Sequence, residues 1–318
     1  MNITITGSIA YDYIMTFPGR FAEVILPDQL QNLSLSFLVD SMKRQRGGTA
    51  PNVAYSMALL GGNPAIMATS GQDFNEYRAW LEEKGVDTTP IVDIEDDYCA
   101  SFFVNTDLDQ NQIANFYAGA MAHAAQLNFA QHAPDTTLTI ISPNAPDAMN
   151  AYVNECKRDG IAYIYDPSQQ TIRLSGEELA NGLDGCFMLT VNEYEYSLIQ
   201  ERTGFSEEEI KEKAGGILVT KGKEGSWLYV DGQEHHIPVI APETVVDPTG
   251  AGDAFRGGLL RGIQLGLDWE IAGRMGALAA TYVLEQLGTI NHSYTTEQFI
   301  TRYRSHFDDN GALDQLNN

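Results

Sequence analysis

The residues with the most specific chemistry are Asp247-Pro248-Thr249-Gly250-Ala251-Gly252-Asp253-Ala254-Phe255. Small side chains let backbone amides turn inward, and a helix begins immediately afterwards. Free N–H groups then collect at the positive end of a helix dipole and form an anion cup. An aspartate repels phosphate bound there. It makes sense if Asp253 deprotonates a hydroxyl while the amides of Gly250, Ala251 and Gly252 hold the charge developing on a transferred phosphoryl group. A lone GxGD favours a glycine-rich helix start capped by aspartate; the nine-residue string reverses that preference toward the anion site. No GxxxxGK[ST] occurs, and no GxGxxG follows a strand, so P-loop and dinucleotide-binding readings lose their support.

Three further segments have the right residue types. In Arg46-Gly47-Gly48-Thr49-Ala50-Pro51-Asn52, glycines allow close backbone approach to a ligand, and Asn52 offers a donor and an acceptor. Asn192-Glu193-Tyr194-Glu195 follows an apolar strand, where an NxxE string can direct an amide and a carboxylate toward hydrated Mg²⁺ and phosphate. Taken alone, such a string is more often just a helix start with favourable acidic residues. Thr220-Lys221-Gly222-Lys223-Glu224-Gly225 is a glycine turn that lies along a nucleotide or simply reverses the chain.

The elements that must position these residues alternate strand and helix. Strands are expected at Asn2–Thr6, Ala65–Thr69, Leu138–Ile141, Ile161–Tyr165, Cys186–Val191 and Ile217–Thr220. Helices are expected at Pro51–Leu60, Asn75–Lys84, Asp147–Arg158 and beyond Glu193, Ser206 and Asp253, with Ser206-x-x-Glu209 a capping box. Asp231-Gly232 marks a hairpin. The pattern implies one α/β unit over 1–318, with a mostly parallel sheet covered on both faces. Residues 13–46 and 98–118 lack crossover helices and are expected to form a small accessory sheet over the main one.

Forty-three acidic residues against nineteen basic give a formal charge of −24, which excludes a nucleic-acid reader working by phosphate neutralisation and argues against anionic membranes. It leaves a small anionic ligand open. Cys99, Cys156 and Cys186 suggest neither a disulfide framework nor a metal knuckle. No apolar run approaches the ~20 residues of a membrane helix, and the first basic residue is Arg20, so a cytoplasmic location is expected.

Together the GG…N near residue 50, NxxE and DPTGAGDAF resemble the ribokinase-like (PfkB) carbohydrate and nucleoside kinases along nearly the whole chain. Thr6–Asp12, Phe17–Phe21, Leu33–Asp40, Asp166–Gln170 and Gly252–Arg256 look like the bacterial adenosine kinase branch. The resemblance implies a three-layer αβα core and a β-sheet lid over the acceptor. It implies Asp253 as base, Gly250–Gly252 as anion hole, and ATP along Asn192, Thr220, Gly222 and Gly225. Asn192 and Glu195 would organise Mg²⁺ through water, with Asp247 and Thr249 as contributors to a K⁺ site. Asp12, Gly47, Gly48 and Asn52 would hold ribose, since one carboxylate accepts hydrogen bonds from two vicinal hydroxyls. Ser8, Ser36, Gln169 and Gln170 would add polar contacts, and Phe102 and Phe116 would sandwich a purine or simply pack the lid. The expected reaction is ATP + adenosine → ADP + AMP. Another nucleoside or a free sugar is the enzymatic alternative, and a non-catalytic nucleoside sensor the alternative of another class. Apolar Leu33, Leu35, Phe37 and Leu38 beside the lid lead to an expected homodimer through the lids.

Overall fold

The computed structural model describes residues 1–25 and 34–317. In chain order the strands are β1 (Ile3–Thr6), β2 (Ala10–Thr16), β3 (Ser41–Gly47), β4 (Ala65–Met67), β5 (Thr69–Gly71), β6 (Val92–Ile94) and β7 (Ala100–Thr106). They continue as β8 (Gln112–Tyr117), β9 (Leu138–Ile141), β10 (Ala162–Tyr165), β11 (Met188–Asn192), β12 (Gly216–Thr220), β13 (Ser226–Val230) and β14 (Gln233–Ile237). The helices are α1 (Phe21–Val24), α2 (Thr49–Ala58), α3 (Asn75–Glu83), α4 (Phe129–His132), α5 (Pro146–Asp159) and α6 (Gly176–Leu183). After them come α7 (Glu193–Thr203), α8 (Glu207–Lys213), α9 (Ala251–Gln264), α10 (Trp269–Leu284) and α11 (Thr296–Arg304).

The main sheet has eight strands in the order β14-β13-β12-β11-β10-β9-β1-β4. From β12 to β4 all neighbours run parallel, and the β13–β14 hairpin is antiparallel. Alternation of side chains separates two cores. Ile140, Ile164 and Leu218 join a cluster with α2, α3 and α9, whereas Ile141, Tyr165 and Val219 join one with α5, α6 and α7. Each such aliphatic side chain contributes ~1.5–3 kcal/mol when fully buried. This is the covered parallel sheet that the alternation of elements implies.

Local chemistry sets the ends of the helices. Ser175 with Glu178, Asn192 with Glu195, Ser206 with Glu209 and Thr295 with Gln298 all form reciprocal capping boxes. Pro146 opens α5, and Gly160 closes it in the left-handed region. One expected strand differs. Ala65–Thr69 divides into β4 in the main sheet and β5, which pairs with β6. The last β4 pairing is Met67 with Thr6, where β1 ends, so no neighbour holds the chain in plane beyond it.

The accessory sheet has four strands, β3-β2-β7-β8, and starts at Ala10 rather than at residue 13. Leu33 lies outside the described residues. Leu38 is exposed, but Phe37 is not free apolar surface: its ring meets those of Phe17 and Phe21, each at 5.1 Å. Among the described residues, no helix is long and apolar enough to cross a membrane.

Candidate active site

Parallel strands bring their carboxyl ends to one edge of the sheet, where open α/β folds place ligand sites. Gly7 and Ser8 follow β1, Ser142 follows β9, Asp166 follows β10, and Asn192 and Thr220 end β11 and β12 as registered partners. The start of α9 joins this edge. Gly250 is its N-cap in the left-handed region, φ 82°, and no side chain caps the helix. The amides ahead of Asp253 therefore have no side-chain acceptor, as an anion cup requires. A Cβ on Gly250 would stand 2.8 Å from Thr289 Cβ, so both conformation and space demand glycine.

Asp253 is held from a remote part of the chain. Asn52 of α2, 5% exposed, donates from Nδ2 to Asp253 Oδ2 at 2.8 Å. Asn52 Oδ1 is buried without a partner, an acceptor left over beside the base. Burial raises the Asp253 carboxyl above its ordinary range, while Arg256 and Asn52 hold it down. A base lifted toward neutrality is suited to taking a hydroxyl proton.

Close backbone contact assembles the substrate loop. Gly48, φ 96°, caps α2, and a Cβ there would stand 2.5 Å from Ser8 O. Gly47 lies against Asp12, whose Oδ2 would be 2.7 Å from an added Cβ. Burial, with Asp247 adding repulsion, pushes Asp12 up to about 6. The small sheet aligns Asp12 with Phe102, and Phe102 with Phe116. Residues directly opposite across strands share a face, so the carboxylate and both rings form one row, with Gln45 beyond Asp12. Phe116 is 54% exposed.

The other expected residues divide into several roles. Ser8 is buried, and its Oγ accepts from Thr49 N at 3.2 Å, so it fastens the start of α2. Gln170 is buried and donates to Asn144 O at 2.7 Å, leaving Oε1 unpartnered; Gln169 is exposed. Ser36 is exposed in an irregular segment before β3. Gly222 (φ 53°) and Gly225 (φ 90°) make the turn after β12; Gly225 also packs on Ile237 O, so its need for glycine is structural.

The NxxE residues engage each other. Asn192 Oδ1 accepts from Glu195 N, and Glu195 Oε2 accepts from Asn192 N, both at 2.8 Å. Glu195 Oε1 keeps only a 3.4 Å bond from Ser168 Oγ, which leaves capacity for a hydrated cation. Asp247 accepts from Thr249 N at 2.9 Å and Gly288 N at 3.0 Å; partial burial pushes its carboxyl up, but these bonds together outweigh it and hold the group below the usual range. Among the described residues, no cluster of three or more His, Cys, Asp or Glu could ligate a metal by itself.

One feature of the site is visible only in three dimensions. Asp166 is fully buried and accepts from Ser142 Oγ at 3.0 Å and Arg256 Nη2 at 2.5 Å. Burial and the neighbouring Asp253 and Glu195 push its carboxyl up against the attraction of Arg256. Arg256, three residues after Asp253 and one helical turn away, signals its own pairing with Asp253 in the sequence but not its partner Asp166.

Comparison with known proteins bears on this arrangement. Residues 7–296 match the pfkB family carbohydrate kinases. A nucleoside kinase of Methanocaldococcus jannaschii is 28% identical over 312 residues, covering 96% of this chain and 97% of the relative. Its solved structure, described as an archaeal member of the ribokinase family, superposes with a TM-score of 0.85 at 27% identity, covering 96% and 98% of the two chains. A Burkholderia thailandensis nucleoside kinase in complex with inosine is 36% identical, with a TM-score of 0.85 and coverage of 96% and 98%. An adenosine kinase of Sinorhizobium meliloti, at 21% identity and a TM-score of 0.68 over 96% and 99%, shares the fold. The architecture is ribokinase-like.

Proposed function

The chain belongs to the pfkB family of carbohydrate kinases and is a phosphotransferase, and we propose that it transfers the γ-phosphoryl group of ATP to the 5′-hydroxyl of a purine nucleoside, adenosine foremost. One observation carries the reading: the row Asp12–Phe102–Phe116 on the small sheet, together with Asp253 held by Asn52 at the mouth of the α9 amides. Asp12 accepts hydrogen bonds from the two vicinal ribose hydroxyls, and the rings of Phe102 and Phe116 stack on the base. A bare sugar has no use for the rings. The Burkholderia relative bound to inosine supports a purine nucleoside, and inosine is the second acceptor to consider.

In the reaction, Asp253 takes the 5′-hydroxyl proton as that oxygen attacks the γ-phosphorus. The bond to the β-phosphate oxygen breaks, ADP leaves with its electron pair, and the amides of Gly250, Ala251 and Gly252 hold the charge on the equatorial oxygens. Asn52 keeps Asp253 aimed, and its unpartnered Oδ1 accepts from a ribose hydroxyl. Thr220, Gly222 and Gly225 line the nucleotide. Mg²⁺ held through water by Glu195 and Asn192 would neutralise charge on the ATP phosphates, and the ionised Asp247 with Thr249 suits a K⁺ beside the hole. Closure of the small sheet excludes water as a competing nucleophile. In solution two copies pair through these sheets, in a cytoplasmic setting.

ADP release measured with ATP, Mg²⁺ and K⁺ against adenosine, inosine, cytidine, ribose and fructose tests the reading. Purine nucleosides should turn over best, and Asp253→Asn should lose about 10²-fold or more. Equal turnover by both proteins refutes the base; no turnover with any acceptor leaves a nucleoside sensor.

A further inference from the structure

The phosphoryl-transfer reading leaves one buried cation without a task. Arg256 lies one turn along α9 from Asp253, with its side chain 11% exposed. Nη2 donates to Asp166 at 2.5 Å, and Nε donates to Thr190 Oγ1 at 3.4 Å. The guanidinium is thus moored to the end of β10 and the middle of β11, while Ser142 after β9 holds Asp166 from the other side. Its free nitrogen, Nη1, faces the chemistry. It stands 3.6 Å from Asp253 Oδ1, and a Cβ on Gly252 would be 2.9 Å from it.

We infer that Arg256, anchored by Asp166, is a positioning residue that keeps Asp253 ionised and aimed beside the anion cup; the inference rests on the phosphoryl-transfer reading above. The charge count gives the reason. Asp166, Asp253 and Glu195 all act on this one guanidinium. Neighbouring buried carboxylates cannot all stay ionised unless a cation sits between them. Asn52 fixes Oδ2 of Asp253 by a neutral hydrogen bond, so Oδ1 is the oxygen left for the hydroxyl proton. A cation at 3.6 Å, longer than a hydrogen bond, steadies the charge of that oxygen without occupying its lone pair.

Rates from pH 5 to 9 with saturating ATP and Mg²⁺, using the best acceptor of the panel, test this in wild type, Arg256→Gln, Arg256→Lys and Asp253→Asn. Arg256→Gln should lose about 100-fold in kcat with nucleoside KM within about threefold, and its acid limb should move up by about one pH unit. Arg256→Lys should bring the limb back. A merely structural ion pair would lower thermal stability and leave the limb in place. If Arg256→Gln does not fold, Asp166→Asn with Arg256→Met removes both charges together, the change that buried pairs tolerate, and the same limb is read. An unmoved limb in either folded variant overturns the inference. Loss of activity in Asp253→Asn alone, with Arg256→Gln unaffected, overturns this inference and spares the reading beneath it; an active Asp253→Asn overturns both.

Discussion

The proposed role of Asp12 as acceptor of the ribose diol gives the nucleoside site a pH signature separate from the chemical step. Burial, reinforced by Asp247, lifts Asp12 to about 6. Only the ionised carboxylate accepts from both ribose hydroxyls, so binding is complete above that value and is lost as pH falls through it. The ionised fraction drops from about 0.9 at pH 7 to about 0.1 at pH 5, a roughly tenfold loss, or ~1.4 kcal/mol. Nucleoside KM should therefore rise about tenfold between pH 7 and pH 5, about fivefold of it below pH 6, and stay flat from pH 8 to 7. The same loss appears in kcat/KM, which reports the free enzyme, whereas kcat follows the groups of the complex. Asp12→Asn separates the two effects. It forfeits charge-assisted bonds of ~1.5–3 kcal/mol each, so KM at pH 8 should increase about 100-fold and lose its pH dependence. A KM that stays flat to pH 5 in the wild type, or an Asp12→Asn variant that loses kcat with KM intact, refutes Asp12 as the diol acceptor.

The remaining predictions concern the rings, the hole and the assembly. A phenylalanine carries about 200 Å² of surface; with Phe116 54% exposed, stacking that covers half of the exposed part contributes ~1.4 kcal/mol. Phe116→Ala should thus raise adenosine KM about tenfold and leave any turnover of ribose nearly unchanged; equal losses contradict stacking. Gly250→Ala forces a left-handed L-residue against Thr289, costing ~1–2 kcal/mol in conformation alone, and should lower both Tm and kcat; a wild-type rate would refute the tight hole. Sedimentation at micromolar concentration should give a dimer, and a monomer removes the pairing of the small sheets.

Local chemistry explains why much of the frame was legible in the amino-acid sequence. Asp231-Gly232 marks a turn that needs two positive φ values, and both residues adopt them. Ser206 and Glu209 close a capping box that is written in four residues. The division of β4 from β5 was not legible, because it depends on where the neighbouring β1 ends. The row Asp12–Phe102–Phe116 required the parallel register of β2 on β7, which joins residues about ninety positions apart and leaves no local signal. The salt bridge from Arg256 to Asp166 has the same character, with ninety positions between them. The NxxE spacing was ambiguous for a physical reason. A capping box and a water-mediated metal organiser both need an amide and a carboxylate three residues apart at a helix start, and here one pair satisfies the cap while keeping one oxygen spare.

The formal charge of −24 poses a problem for any chain that takes ATP, and the geometry shows how distance resolves it. At physiological salt the screening length is ~8 Å, so most of the forty-three acidic side chains are muted at the cleft. What an incoming phosphate meets is local: the uncapped amides of α9 and one buried guanidinium. Carboxylates at the cleft itself are not muted. Asp166 is matched by Arg256, Asp12 is lifted toward neutrality, and Asp247 is paid in backbone N–H bonds. In the proposed reaction Asp253 alone serves as the proton acceptor, and among these carboxylates it is the one bound by both Asn52 and the Arg256 ion pair. Adding bulk negative charge far from the cleft should therefore leave phosphoryl transfer nearly unchanged, whereas adding one carboxylate at position 52 places a second anion within hydrogen-bonding distance of the base and should abolish turnover near neutral pH.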